Sequence, residues 1–337
     1  MQNEIKSSIK KIDSAKKILI LISSPDGDSV GTSIVLKHFL ENKNKIADIY
    51  SNKPLYDTLK KLPLSDEIII TDVVKINFHE YDLIITVDTA NLEQLYNYNK
   101  YDKFKFPDYI DFVCIDHHAS NTSFTKYKIY DKEASSTAEV LYTHLIKNDF
   151  PLNKDEATLL YFAIASDTGF FRWQIKPETF RVASKLLESN VDYNKLANLY
   201  FENIDESFKD ILSVFVKKTV FHKRLKYTSL YIDENIINKL KISKENMKNY
   251  IDTYRSNFLI NIKDYKFSII IKDVGDFRII SFRGNPFNNK LDLTLINKYY
   301  DFQGGGHKNA CSFSSKGNYK DIIKNIDIAI KDLESIN

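Results

Sequence analysis

Glycine, proline and cysteine are scarce in this chain of 337 residues, which contains 9, 7 and 2 of them, respectively. So few glycines and prolines argue against long flexible linkers, and they make each cluster of glycines informative. Cys114 lies in an apolar run and Cys311 in the segment FQGGGHKNACSF, so the two cysteines do not indicate a disulfide framework. We therefore expect two reduced, buried thiols.

The chain also lacks a large excess of charge of one sign and a long apolar run. It carries 48 basic and 45 acidic residues, a formal net charge of +3. This balance argues against a protein that coats long duplex DNA, because such binding needs a strongly basic surface. A small anionic ligand held by a few local cations remains compatible with it. The first apolar run, 18–22, is too short for a secretory signal or a spanning helix, so we expect a cytoplasmic protein with no membrane partner.

Short apolar runs alternate with segments of helical periodicity in the first half of the chain. We predict strands at 18–22, 46–50, 67–70, 81–88 and 112–115. Repeated strand–helix units indicate a mainly parallel sheet that is covered by helices on both faces, with right-handed connections. From 134 to 218 the spacing of apolar residues predicts helices alone.

Strands return in the last third of the chain. We predict them at 228–232, 258–262, 267–271, 277–282 and 310–313, with a hairpin turn at Val274-Gly275-Asp276 and a closing helix at 319–333. The sequence therefore predicts a two-domain α/β protein. Its first domain, 1–204, has a parallel sheet with flanking helices and a helical connector, and its second, 205–337, is a smaller mixed α/β unit.

Acidic residues stand at the ends of four predicted elements of the first domain. They are Asp26 and Asp28 in SPDGDS, Asp88 in ITVDTAN, Asp116 in DHH and Asp167 in SDTG. A single aspartate after a strand is usually a helix cap or a turn residue. Four such motifs at one edge of a sheet favour a ligand site instead, because open α/β sheets bind ligands there and clustered carboxylates need cations.

The types of side chain in these motifs indicate which cations would bind. Carboxylate oxygens together with an imidazole suit Mn²⁺ or Mg²⁺ better than Zn²⁺. Two such ions about 3.5–4 Å apart are the usual arrangement for hydrolysis of phosphoesters, because they activate water and neutralise charge on the phosphate oxygens. The sequence therefore predicts a metal-dependent phosphoesterase.

The motifs PDGD, ITVDTAN, DHH, SDTG and GGGH, in this order, resemble those of the DHH/DHHA1 phosphoesterases. The resemblance covers nearly the whole chain, and the motifs are specific as a set although each alone is weak. In size the chain is similar to stand-alone members that act as nanoRNases and pAp phosphatases or as cyclic-di-AMP phosphodiesterases. The resemblance implies a DHH domain followed by a DHHA1 domain, and manganese-dependent hydrolysis of small nucleotides such as pApA, pAp or cyclic di-AMP.

The resemblance also implies roles for individual residues of the first domain. Asp28, His117 and Asp167 would surround one manganese ion, Asp26 would bind the other, and Asp88 would bridge the two. Asp116 would orient the site, and His118 would point at the scissile phosphate.

In the second domain, the resemblance implies a substrate-binding arginine and a glycine-rich loop. Arg283 stands at the end of a predicted strand, and its guanidinium fork suits a terminal phosphate. Gly304, Gly305 and Gly306 would let backbone amides approach an anion, and His307 would add a donor. In the family these groups bind the substrate's phosphate and nucleotide across an interdomain cleft.

One position departs from the family pattern. The family usually has histidine three residues before the proline of its first motif, and here that residue is Ile22. Three outcomes are open: an enzyme with a weakly held first metal, an enzyme with one metal, or an inactive protein. The loss of this histidine would fit one rival prediction, a nucleotide-binding protein without activity. A single-strand exonuclease of the RecJ type is the other rival. Dimers are common in the family, so a homodimer is also open.

Overall fold

Two six-stranded sheets organise the chain, one in each of two units, Met1–Glu202 and Asn203–Asn337. The computed structural model describes residues 2–96, 104–201, 206, 208–240, 242, 244–285, 287–299 and 303–336. Within these ranges, no helix is long and apolar enough to span a membrane.

The sheet of the first unit has the strand order β3-β2-β1-β4-β5-β6, and every neighbouring pair is parallel. The order reverses between β1 and β4, which creates the switch point where sheets of this class bind ligands. Its strands are β1 Lys17–Ile22, β2 Ile46–Ser51, β3 Ile68–Ile70, β4 Leu83–Val87, β5 Asp111–Asp116 and β6 Tyr127–Tyr130. The predicted fold class is confirmed, although β6 was not predicted.

Both faces of this sheet are covered, one by α-helices and the other by 3₁₀ turns and loops rather than by the helices predicted there, which explains why β1 is apolar at every position from Ile18 to Ile22. Ile18, Ile20 and Ile22 pack into one buried cluster, and Leu19 and Leu21 into another. Each such side chain contributes about 1.5–3 kcal/mol when it is fully buried. The helices of the unit are α1 Gln2–Ser14, α2 Gly27–Asn42, α3 Asp57–Lys60, α4 Thr137–Leu141, α5 Lys154–Asp167, α6 Pro177–Leu187 and α7 Tyr193–Phe201.

The first helix of the region 134–218, which was predicted to be helical, is short and composite. It begins at Thr137, with Ser136 as N-cap, and changes after Leu141 into a π-helical turn, Tyr142–Ile146. The Ser136 hydroxyl accepts a hydrogen bond from the Glu139 backbone N–H, which satisfies a free donor at the start of the helix. The Glu139 carboxylate, however, accepts bonds from Ser135 and Thr179, which ties the start of α4 to α6.

The second unit has a mixed sheet in the order β11-β12-β10-β9-β8-β7, in which β8 and β9 are parallel and the other described pairs antiparallel. The predicted hairpin is present, since Val274 pairs with Phe277. The elements are α8 Phe208–Lys218, β7 Val220–His222, β8 Tyr227–Ile232, α9 Glu234–Leu240, α10 Lys244–Asn257, β9 Phe267–Val274, β10 Phe277–Gly284, β11 Gln303–His307, β12 Ala310–Ser315 and α11 Tyr319–Ile336.

Two predictions for this unit were wrong. The segment 258–262 is not a strand, because α10 continues to Asn257 and is followed by a 3₁₀ turn at Leu259–Asn261. Leu259 and Ile260 are buried beside α10, so their apolar character reflects burial rather than a strand. The glycine-rich segment is not a loop either, because Gly304, Gly305, Gly306 and His307 all belong to β11.

His38 on α2 joins two other elements of the first unit through its imidazole. Its Nδ1 lies 2.9 Å from Glu156 at the start of α5, and its Nε2 lies 3.0 Å from Glu67 just before β3. The hydrogen bond to Glu156, followed by that to Glu67, outweighs burial and raises the pKa of His38 to about 9. No motif in the sequence indicates this bridge, because its three residues are far apart in the chain.

The His38 bridge predicts a pH-dependent contribution to stability. The folded pKa lies above the value of about 6.5 for an unperturbed histidine, so the stabilisation is complete below that pH and is lost as pH rises through about 9. We expect His38→Gln to lower the free energy of unfolding by about 1–2 kcal/mol at pH 6, and by much less at pH 9.5. Urea unfolding at both pH values checks this. His79→Gln, at an exposed position, is the control, and an equal loss at the two pH values would contradict the bridge.

Candidate active site

Acidic and imidazole side chains collect at the carboxyl edge of the first sheet. Asp88 directly follows β4, Asp116 ends β5, and His117 and His118 come next. The strand β1 ends at Ile22 and leads into Asp26 at the start of α2. Because β1, β4 and β5 are parallel neighbours, their carboxyl ends meet at one edge, next to the switch point of the sheet.

Asp26 is the N-cap of α2 and also borders this site. Its carboxylate accepts a hydrogen bond of 2.9 Å from the Ser29 backbone N–H, and its own N–H donates to the Ser29 hydroxyl. Burial and the charge of Asp167 together outweigh these bonds and raise the pKa of Asp26. Asp26 therefore caps a helix, as an aspartate after a strand usually does. Its carboxylate is also affected by the charge of a second acid, Asp167.

Asp28 is fully buried and is held by the start of α4. Its two oxygens accept hydrogen bonds from the backbone N–H groups of Thr137 (2.6 Å) and Ala138 (2.9 Å). The start of a helix provides such free donors and favours negative charge. Burial and the neighbouring Asp167 nevertheless raise the pKa of Asp28 to about 7. The site thus contains more negative charge than its hydrogen bonds neutralise.

Asp167 reaches Asp28 because α2 and α5 pack very closely. Gly27 lies between Asp26 and Asp28, and a Cβ atom at this position would lie 2.2 Å from the Ser166 hydroxyl oxygen. Only glycine permits this approach, since real Cβ atoms are not found so close to another heavy atom. The contact brings the last residues of α5, including Asp167, to the first turn of α2.

Asp88 adopts a left-handed backbone conformation with φ of +54°. Such a conformation is uncommon outside glycine but is tolerated by aspartate. It is fixed by a hydrogen bond from the Asp88 N–H to the Ile115 carbonyl and by one from the Thr137 hydroxyl to the Asp88 carboxylate, 3.0 Å long. Thr137 therefore positions two acids, Asp28 through its backbone and Asp88 through its side chain.

His117 stands among three of these carboxylates. Its Nε2 is 3.1 Å from Asp167, 3.8 Å from Asp88 and 4.0 Å from Asp28. Its Nδ1 lies 3.4 Å from the Ala134 carbonyl oxygen, an arrangement that would place the proton on Nδ1 and direct Nε2 to a metal. Burial opposes protonation of the ring, but the surrounding acids, first Asp167, raise the pKa of His117 well above its usual value.

Asp116 supports the neighbouring histidine and is fully buried. One of its oxygens lies 2.6 Å from His118 Nδ1, and the other accepts a 2.6 Å hydrogen bond from the Asn121 side chain. Burial alone would raise the pKa of Asp116, but the His118 and Asn121 contacts outweigh it and lower the pKa. Burial opposes the charging of His118, yet the bond to Asp116 and the charge of Asp88 raise its pKa to about 9.

Two overlapping groups of side chains could hold metal ions. Asp28, His117 and Asp167 form one, and Asp88, His117 and His118 form the other, with all ligand atoms of a group within 4.8 Å of one another. Carboxylate oxygens with imidazole nitrogens are a donor set that fits Mn²⁺ or Mg²⁺, and buried acids that repel each other would be stabilised by a cation. The first group coincides with the ligands that the resemblance placed around one ion. Asp26 belongs to neither group of the described residues.

The side chain of Ile22 contributes no polar atom to this edge of the sheet. It is 1% exposed, pairs with Val87 in the parallel register of β1 and β4, and packs in the main core of the first unit. The position at which the family usually has histidine is therefore occupied by an ordinary core residue.

The structure accounts for part of the glycine-rich motif without a ligand. Gly304 and Gly306 have φ of +147° and +141°, and a Cβ atom would lie 2.1 Å and 2.4 Å from carbonyl oxygens of the paired strand β12. Close strand pairing thus requires both glycines. Gly305 is exposed, and a Cβ atom there would meet nothing within 4 Å. The side chain of His307 lies outside the described residues.

Arg283 lies near the end of β10, in the same row of the sheet as the glycine-rich strand. It pairs with Ala310 of β12, which in turn pairs with His307 of β11. Its Nη1 donates a 2.9 Å hydrogen bond to the Phe282 carbonyl. The backbone register therefore places Arg283 and His307, two of the residues that the resemblance assigned to substrate binding, in one row of the sheet.

Two residues of the site were not predicted from the sequence. Thr137 and Asn121 carry no sequence motif for these roles, because hydrogen bonds across the fold leave no local pattern. From the sequence alone, the aromatic pair that follows Asp167, Phe170 and Phe171, could stack on a base or pack in the core. Phe170 contacts Tyr193, Tyr200 and Phe201 of α7, and Phe171 stacks on Phe180 of α6.

Residues 17–164 match the model of the DHH family, N-terminal domain. The resemblance to this family is thereby confirmed, and the matched range contains Asp26, Asp28, Asp88 and the Asp116-His117-His118 motif.

Relatives of this chain are about a quarter identical to it over the aligned residues. An uncharacterized protein of Methanocaldococcus jannaschii is 26% identical over 90% of the chain, which spans 59% of that protein's length. A probable bifunctional oligoribonuclease and PAP phosphatase of Streptococcus mutans is 25% identical over 74% of the chain and 70% of its own length. The crystal structure of an exopolyphosphatase-related protein from Bacteroides fragilis has a TM-score of 0.84, is 22% identical, and covers 100% of this chain and 98% of its own. At this identity the structure supports the fold alone.

Proposed function

We propose that this protein is a metal-dependent phosphoesterase that hydrolyses small nucleotides. The observation that carries the proposal is the position of His117 Nε2 among the carboxylates of Asp28, Asp88 and Asp167 at the carboxyl edge of the sheet. Buried like charges are costly unless a cation or a reaction uses them. Perturbed acids and imidazoles that converge in this way are typical of active sites.

Manganese is the ion we propose, with magnesium as the alternative. Asp28, His117 and Asp167 would hold one ion, and Asp88, with Asp26 nearby, would serve a second. When bound, such ions lower the pKa of water and offset negative charge on phosphate oxygens. Ile22 supplies no ligand, so we propose that any ion on that side is held more weakly.

His118 is the residue that we propose for direct contact with the scissile phosphate. Its Nδ1 is fixed by Asp116, and Asp116 is in turn fixed by Asn121. A ring held in this way is oriented before substrate arrives, which reduces the entropy lost on reaching the transition state. Asp116 therefore acts through His118 and is a positioning residue.

The proposed substrates are short oligonucleotides such as pApA, together with pAp and cyclic di-AMP. The relative from Streptococcus mutans, named as an oligoribonuclease and PAP phosphatase, supports the first two. The formal net charge of +3 supports small ligands over long polymers, whose binding depends on many basic residues. Arg283 and the β11 segment are the proposed substrate-binding groups of the second unit.

A panel of pApA, pAp, cyclic di-AMP and a single-stranded DNA of about 30 nucleotides, assayed at equal concentration, tests the proposal. We expect Mn²⁺-dependent hydrolysis of at least one small nucleotide, no turnover in EDTA, and little degradation of the long strand. Rapid digestion of the long strand would favour an exonuclease. Binding without product at any metal concentration would favour a nucleotide-binding protein without activity.

A further inference from the structure

The turn that follows Asp167 has a strained backbone. Gly169, Phe170 and Phe171 have φ angles of +58°, +58° and +62°, so three consecutive residues adopt the left-handed conformation. Single residues, mostly glycine, visit this region, whereas a run that includes two phenylalanines costs free energy. Such strain persists only where the surrounding structure fixes it, and it is concentrated at functional sites. Here it begins two residues after a proposed metal ligand.

Hydrogen bonds at the end of α5 hold the turn in this shape. The Thr168 hydroxyl accepts a 3.0 Å hydrogen bond from the Phe171 N–H and donates one of 2.7 Å to the Ile164 carbonyl. The Thr168 carbonyl accepts hydrogen bonds from the backbone N–H groups of Arg172 (2.8 Å) and Trp173 (3.1 Å). The chain therefore folds back on the end of the helix and brings Trp173 to it.

The indole of Trp173 makes two contacts with this segment. Its Nε1–H donates a 3.2 Å hydrogen bond to the Asp167 carbonyl, one of the carbonyls that the end of a helix leaves free. Its ring also covers Gly169, where a Cβ atom would lie 2.1 Å from the ring carbon Cζ2. Residue 169 must therefore be glycine because of the ring as well as the positive φ. The indole thus fixes the peptide that follows Asp167.

Asp167 depends on its backbone for orientation more than the other acids beside His117 do. Both oxygens of Asp28 accept hydrogen bonds from backbone N–H groups, and Asp88 accepts one from Thr137. The Asp167 side chain is 30% exposed, and in the described part of the chain its carboxylate has one hydrogen-bonding partner, His117 Nε2 at 3.1 Å. This nitrogen would itself be a metal ligand, so it would no longer orient Asp167 once a metal is bound.

We propose that Trp173 is a positioning residue for metal binding. Through its hydrogen bond to the Asp167 carbonyl and its contact with Gly169, it holds the left-handed turn and directs the Asp167 carboxylate towards His117 and Asp28. The proposal rests on the proposed function, in which Asp167 is a metal ligand. Removal of a group that supports a ligand commonly weakens metal binding by about 10–100-fold. A contact with the backbone, rather than with the ligand atoms, should lie at the lower end of this range.

Trp173→Phe tests this role, because phenylalanine keeps an aromatic ring and removes the N–H donor. We expect Mn²⁺ to bind about tenfold more weakly, measured as the loss of the electron paramagnetic resonance signal of free Mn²⁺ on titration with protein. Tyr81→Phe is the matched control: it also removes one donor from an aromatic ring, a 2.9 Å bond to Asp48, but it lies before β4, at the opposite end of that strand from Asp88. The control should keep the wild-type affinity. A folded Trp173→Phe protein with the wild-type affinity would overturn the proposal.

Replacement of Trp173 by 3-benzothienylalanine decides the matter if Trp173→Phe fails to fold. In this amino acid a sulfur atom replaces the indole N–H and the shape of the ring is kept, so the contact with Gly169 remains. We expect an unfolding temperature close to that of the wild-type protein together with the loss of Mn²⁺ affinity, a combination that a purely structural tryptophan would not give. Unchanged Mn²⁺ affinity in this protein would overturn the proposal.

The wild-type protein offers an independent measurement, because Trp173 is the single tryptophan of the chain. Its emission therefore comes from the ring that contacts residues 167 and 169. Paramagnetic Mn²⁺ should quench this emission at the concentrations at which the signal of the free ion is lost. Binding of Mn²⁺ without quenching would place the ion away from Trp173 and overturn the proposal alone, whereas no binding of Mn²⁺ would overturn the proposed function with it.

Discussion

His117→Ala is expected to reduce hydrolysis of pApA in Mn²⁺ by roughly 10³-fold, since charge stabilisation by a metal contributes several kcal/mol. His117 belongs to both groups of potential ligands, so its loss should weaken both sites. Single-turnover rates with saturating enzyme measure the effect on the chemical step. Titration of Mn²⁺ should show a parallel loss of binding, and both readouts are needed to separate a lost ligand from a lost fold.

The matched control is His79→Ala. His79 stacks on Tyr109 and precedes β4, so it lies at the opposite end of that strand from Asp88. It should keep the rate and the metal affinity of the wild-type protein. A His117→Ala protein that retains more than about a tenth of the wild-type rate, a loss of only about 1.4 kcal/mol, would show that the reaction does not depend on this imidazole.

Ile22→His should have two opposed effects. Without metal, we expect a loss of about 2–4 kcal/mol in the free energy of unfolding, because a polar ring replaces a fully buried apolar side chain. We also expect the affinity for Mn²⁺ to rise about tenfold or more, because the position at which the family has its histidine regains a ligand. Urea unfolding with and without Mn²⁺ and a metal titration measure the two effects.

Ile20→His separates these effects. Ile20 is as deeply buried as Ile22 and packs in the same cluster, but it lies one strand repeat farther from the acids. It should lose stability in the same way and gain no affinity for Mn²⁺. If Ile22→His changes neither metal affinity nor rate, residue 22 does not face the first metal position.

The sequence predicts the first sheet well because strands buried on both faces are apolar at every position, as in Ile18–Ile22. It also predicts that Asp88, Asp116, His117 and His118 lie at one edge, since parallel strands end together. The same rule wrongly predicts a strand at 258–262, where the apolar residues are buried beside the end of a helix. It also fails for the glycine-rich segment, because the requirement of β11 for glycine arises from carbonyl oxygens of β12, a partner that local sequence does not reveal.

The arrangement within the site depends on contacts between distant parts of the chain. Thr137 joins Asp28 and Asp88 across 109 and 49 residues, respectively. Gly27 and Ser166 similarly bring Asp167 to α2. Motifs reveal which residue types are present, but these tertiary contacts decide which carboxylates share a cation.

The central claim is that this protein is a metal-dependent phosphoesterase whose site includes Asp88. The most direct test is single-turnover hydrolysis of pApA, with Mn²⁺ and with EDTA, by the wild-type protein and by Asp88→Asn. Asparagine keeps the oxygen that accepts the Thr137 hydrogen bond but removes the charge. The account predicts product from the wild-type protein in Mn²⁺ alone, and a rate at least about 10²-fold lower for the variant. Product formed equally well in EDTA, or at the wild-type rate by Asp88→Asn, would contradict it.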